Sequence, residues 1–124
     1  MTVNERIEAW FAGREDEYVS ALTPLIAIDS TTGTPEPGKP FGPGPAMALD
    51  AALELARKWG LTTGEDEGYV GTVDLNDQPD QLHILAHLDV VGIGDGWDTD
   101  PFTLVRDGDL IYGRGTDDDK GPAV

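Results

Sequence analysis

The chain has 124 residues, enough for one domain with a modest hydrophobic core, and its 39% apolar and 26% charged residues are ordinary for a globular protein. Twenty-four acidic against 8 basic side chains give a formal net charge of −16, which argues against nucleic acid or an anionic membrane as partner. The lack of cysteine excludes disulfide frameworks, thiolate zinc sites and cysteine nucleophiles.

From Val3 onward, Ile7, Trp10, Phe11, Tyr18, Leu22 and Leu25 recur at helical spacing, with Thr2 or Asn4 as cap and Pro24 marking a kink or an end. The stretch from Thr31 to Pro45 holds five of the nine prolines and reads as a loop. A second helix follows. Pro45 lies in its first turn, Ala48, Ala52, Leu55, Ala56 and Trp59 form its apolar face, and Gly60 stops it. Tyr69 to Leu75 reads as a strand and Asp77 to Asp80 as a turn. Leu82 to Val91 is nearly continuous in apolar residues, the pattern of a strand buried on both faces. Phe102–Arg106 and Asp109–Tyr112 flank Asp107-Gly108, a hairpin signal. The order of elements supports an α/β fold. No apolar run reaches the roughly 20 residues of a membrane span, and the N-terminus lacks the pattern of a signal peptide, so a cytoplasmic protein is expected.

Polar groups interrupt the most apolar segment near its end. Side chains two apart in an extended chain share a face, so His87 and Asp89 point the same way. A neutral imidazole ligates a divalent metal well, and a carboxylate can fix the ring from behind, although a structural hydrogen-bonded pair accounts for the same pattern. His83 lies on that face about 13 Å from His87, too far to share one metal, and reads as an ordinary strand residue. The second cluster is Gly113-Arg-Gly-Thr-Asp-Asp-Asp-Lys-Gly-Pro122. Its three carboxylates alone read as a solvated run, but its glycines are suited to close approach of a ligand, and only Arg114 and Lys120 are near enough to offset the charge. With His87 and Asp89 these acids offer a nitrogen and oxygen donor set for zinc or manganese. Calcium-loop, dinucleotide and phosphate-loop signatures are not matched.

His87-Leu-Asp-Val-Val91, Gly96-Trp-Asp-Thr-Asp-Pro-Phe102 and Ile111 to Pro122 together resemble the co-catalytic zinc metallopeptidase family of aminoacylases, carboxypeptidase G, desuccinylases and bacterial dipeptidases. Ile28-Asp-Ser30 and Phe41-Gly-Pro-Gly-Pro45 are similar more narrowly to the PepV-type dipeptidases of that family. The resemblance implies the N-terminal part of a three-layer α/β/α catalytic domain with a mixed sheet, spanning residues 1–124. It implies His87 as a metal ligand, Asp118 as the carboxylate bridging two divalent ions (zinc, or manganese as the alternative), and Asp89 as the catalytic carboxylate that orients the imidazole. The peptide bond between Asp118 and Asp119 is expected to be cis. Asp117 and Gly92 depart from the family pattern.

The implied reaction is hydrolysis of the amide bond of a short peptide by a metal-activated water, two such ions lying about 3.5–4 Å apart. The family's general base, its remaining ligands and its lid domain are expected beyond Val124, so this segment alone is expected to be inactive. An amidohydrolase acting on N-acyl amino acids is the alternative within the family. A non-catalytic truncated or binding module is the alternative outside it.

Overall fold

The computed structural model describes residues 1–79 and 82–124. Helix α1 (Val3–Phe11) begins at a reciprocal cap: the Glu5 amide donates to Thr2 Oγ1 at 3.2 Å, and the Thr2 amide donates to Glu5 Oε2 at 2.6 Å. The chain then turns at Gly13 and re-enters a helix as α2 (Glu15–Ile26). The single apolar period therefore spans two helices. The break falls at the Gly13 turn, and Pro24 is carried inside α2 near its end.

The two helices differ in burial. α1 has no buried residue, and Ile7, Trp10 and Phe11 are exposed. α2 buries Leu22, Leu25 and Ile26, which pack with Ala51, Ala52, Leu55, Leu104, Ile111 and Val124 to make the core. Helix α3 (Pro43–Lys58) starts with proline in its first turn and ends on Arg57 and Lys58, cations that suit a helix C-terminus. It buries Ala48, Leu53 and Ala56, while Trp59 beyond its end is exposed.

Strands β1 (Thr62–Asp66) and β2 (Val70–Asp74) form an antiparallel hairpin against α3, with Asp66 opposite Val70. β1 escapes a reading by hydrophobic alternation because Thr-Thr-Gly-Glu-Asp has no apolar side chain. β3 (Val105–Asp107) and β4 (Leu110–Tyr112) form the second hairpin, with Asp107 paired to Leu110. Its loop is thus Gly108-Asp109, one residue later than expected. Gly108 takes a φ of +61° at the first loop position, the place where a II′-type turn requires it. The short helix α4 (Lys120–Ala123) follows. In the expected turn at 77–80, Asp77 and Gln78 bend, and Asp80 lies outside the described residues.

The apolar run at 82–91 departs most from expectation. It joins no ladder among the described residues; the one bridge they show for it is the parallel one between Thr31 and Val90. Leu82, Ile84 and Leu85 are 79–95% exposed, and only Val90 is buried. An extended segment buries two faces only between neighbouring strands and covering helices, and the described residues supply neither at 82–85. The architecture is α/β, with two small antiparallel hairpins beside a helical core.

Candidate metal centre

The alternation of an extended chain survives at 87–89 without a ladder. His87 and Asp89 face the same way, and the imidazole Nδ1 lies 3.1 Å from Asp89 Oδ1 and 3.3 Å from the Asp89 carbonyl oxygen. The other ring nitrogen, Nε2, lies 2.9 Å from Asp118 Oδ1. Residues 31 apart in sequence thus meet through the nitrogen that Asp89 leaves open. The adjoining Asp119 uses its carboxylate differently, accepting the His87 backbone N–H at 3.1 Å. The Asp118–Asp119 peptide is cis, as the resemblance implied.

The donor pair fits a divalent ion. A tetrahedral metal with ligands at about 2.0–2.2 Å holds two of them about 3.3–3.6 Å apart, so the 2.9 Å between Nε2 and Oδ1 would have to open by roughly half an ångström. Asp89 fixes the ring as the carboxylate partner of a ligating histidine does. The described residues contain no group of three or more His, Cys, Asp or Glu able to hold a metal, so the site they build is one imidazole facing one carboxylate, with a second carboxylate behind the ring. The pair is open to solvent, with the His87 side chain 51% exposed and that of Asp118 79%. Partial desolvation pulls the His87 imidazole down, but hydrogen bonds and charge from Asp118 and Asp89 outweigh it and hold its pKa above the ordinary 6.5. A proton therefore competes with a metal for Nε2. His83 is exposed, Asp117 is exposed, and nothing in the structure explains the extra acid at 117.

The two nearby cations serve elsewhere. The Arg114 guanidinium donates to the carbonyls of Gly92 and Ile93 and lies over the Trp97 ring, fixing the loop after the histidine. Lys120 is fully buried, and its Nζ donates to the carbonyls of Leu25 at 2.8 Å and Ile28 at 2.7 Å, at the C-terminal end of α2. Burial pushes its pKa down to about 8 against the opposing charge of Asp29. Offsetting the carboxylates is therefore not what these cations do.

The flanking glycines are also used for packing within the chain rather than for a ligand. A Cβ on Gly121 would collide with the Thr116 carbonyl oxygen, and Gly115, at φ +93°, lies against Val90 and the Lys120 stem. Sequence reasoning missed the fully buried Ser30, whose hydroxyl donates to the Leu88 carbonyl oxygen at 2.6 Å. Its only sequence signal was its place in the Ile28-Asp-Ser motif.

Comparison with known proteins finds a likeness over the segment that carries this geometry. The model of peptidase family M20/M25/M40 matches residues 83–124, which include His87, Asp89 and Asp118. Three proteins named "Putative dipeptidase", from Staphylococcus aureus strains USA300, COL and MW2, are each 42% identical to the chain over 112 residues. Each alignment covers 89% of this chain and 24% of the relative, so the chain spans about a quarter of the length of the curated relatives it matches. Among the described residues, no helix is long and apolar enough to cross a membrane. With the family signature running through the residues of the candidate site, the chain is similar to peptidase family M20/M25/M40 over residues 83–124.

Proposed function

We propose that the protein is a metal-dependent dipeptidase that hydrolyses the amide bond of short peptides in the cytoplasm. In this reading, residues 1–124 contribute part of a three-layer α/β/α catalytic domain. The observation that carries it is the relay Asp89–His87–Asp118, in which one ring nitrogen is held by a carboxylate and the other faces a second carboxylate at 2.9 Å. The similarity to the Staphylococcus aureus proteins supports short peptides as the substrate class.

His87 Nε2 and Asp118 would hold the ion, with Asp118 shared between two ions of zinc or manganese. Such a pair supplies an activated water and a polarised amide carbonyl when bound. Asp89 would accept the Nδ1–H hydrogen bond, which leaves the Nε2 lone pair for the ion shared with Asp118 and makes the imidazole a stronger donor. The bridging position suits Asp118 because its negative charge offsets the repulsion between two cations. The net charge of −16 favours accumulation of cations at an open site.

The test is made on the natural gene product, following metal content and hydrolysis of unprotected dipeptides together. His87→Ala should lose bound zinc and activity in parallel; unchanged metal stoichiometry would remove the histidine from the ligand set. Asp89→Asn should retain more metal than activity, and near-normal turnover would count against its orienting role. Hydrolysis of N-acyl amino acids with dipeptides untouched would reassign the substrate class.

A further inference from the structure

An exposed ligand pair needs support from behind, and contacts to Asp119, Ser30 and Lys120 supply it. Asp119 Oδ2 accepts the His87 amide at 3.1 Å. One residue along, the Leu88 carbonyl accepts the Ser30 hydroxyl at 2.6 Å, while Val90 N–H donates to the Ser30 carbonyl at 3.3 Å. Two residues before Ser30, the Ile28 carbonyl accepts Lys120 Nζ at 2.7 Å, and Lys120 is covalently next to Asp119. The contacts close on themselves: 119 to 87, 88 to 30, 28 to 120, and back to 119.

We propose that Asp119, Ser30 and Lys120 are positioning residues whose closed hydrogen-bonded circuit sets the gap between His87 and Asp118. The proposal rests on the reading of that pair as metal ligands. Ser30 and Lys120 are fully buried, so a donor lost at either position leaves a carbonyl unpaired in the interior, and the backbone beside a ligand shifts to find another partner. The histidine and Asp118 lie on opposite arms of the circuit, each within two residues of a link. Opening any link frees one arm relative to the other. None of the three links involves His87 Nε2 or Asp118 Oδ1, so the circuit acts on metal affinity through geometry alone.

The experiment measures zinc affinity by competition with a chelator, and the visible absorption of the cobalt-substituted site, on the natural gene product and its variants. Ser30→Ala, Lys120→Met and Asp119→Ala should each raise the zinc Kd by about tenfold or more and weaken the cobalt band. Asp119→Asn should restore affinity, because an amide oxygen still accepts from the His87 N–H. The Ser30→Ala/Lys120→Met double variant should bind no more weakly than the poorer single one, since a circuit opens only once.

Fully additive losses, or an Asp119→Asn protein as weak as Asp119→Ala, would overturn the circuit in favour of separate packing or charge effects. Where Lys120→Met does not fold, Ser30→Ala and the Asp119 pair decide. His87→Ala separates the two readings. If it binds zinc like the parent, the ligand assignment fails and the proposal with it. If it loses zinc while Ser30→Ala and Asp119→Ala bind like the parent, the circuit alone fails.

Discussion

Leu82–Leu85 and His87–Val90 belong to one apolar run, yet the first half projects into solvent and the second is tied down at almost every residue. Leu85 is 95% exposed and Val90 is 5% exposed. Hydrophobicity does not separate them. The difference is that the second half meets polar partners from two other parts of the chain: the Asp119 carboxylate, the Ser30 hydroxyl and the Ser30 carbonyl. A run of apolar residues states a capacity for burial; specific donors and acceptors decide where the backbone stops.

The contrast can be broken most severely from below. Gly121→Ala puts a methyl group into the Thr116 carbonyl, a backbone atom that cannot swing aside, and should cost about 3 kcal/mol in urea unfolding. Residues 87–90 should then exchange their amide protons faster than in the parent protein. A smaller loss, about 2 kcal/mol, is expected for Val90→Ala, which empties the one buried apolar position of the run; an effect as slight as that of an exposed site would contradict its burial.

Acid offers a gentler way to loosen the tied half. The hydroxyl and amide of Thr31 hold the Asp29 carboxyl below its usual 3.8. Because the folded value is the lower one, the stabilisation is complete above 3.8 and disappears as pH falls through the folded value. The Val90 amide resonance should move over that interval while those of Leu82–Leu85 do not, as two-dimensional NMR will record. The smallest effect belongs to Leu85→Gln. At a side chain this exposed, stability should change by no more than about 0.5 kcal/mol, and a large loss would mean that the segment is covered in solution.

The same contrast explains what could be read from the residues alone. The two core helices were legible because Leu22 and Leu25, and Ala48 and Ala56, recur at helical spacing on faces that are buried, although the second face also takes in Leu53, which was not expected there, and leaves Trp59 exposed. The second hairpin was legible to within one residue because Asp107-Gly108 announces a turn. β1 was not, since it is polar throughout and is held by pairing with β2. His87, Asp89 and Asp118 were legible from their motifs and local spacing, and the structure brings them within hydrogen-bond reach.

Lys120 and Ser30 were opaque for a different reason. Lysine is almost never fully buried, so composition points it at solvent, and only the arrival of two helix-end carbonyls from 92 and 95 residues away makes burial tolerable. No local pattern encodes such a meeting.

The sequence separations in the circuit carry a consequence for biosynthesis. Its links join residues 32, 58 and 92 positions apart, so each is a long loop closure with no local precursor. Helices α2 and α3 can form and pack as soon as they leave the ribosome, whereas the histidine arm can fasten only to Ser30 until Asp119 and Lys120 have emerged. A nascent chain halted before Asp118 should therefore not retain zinc at His87.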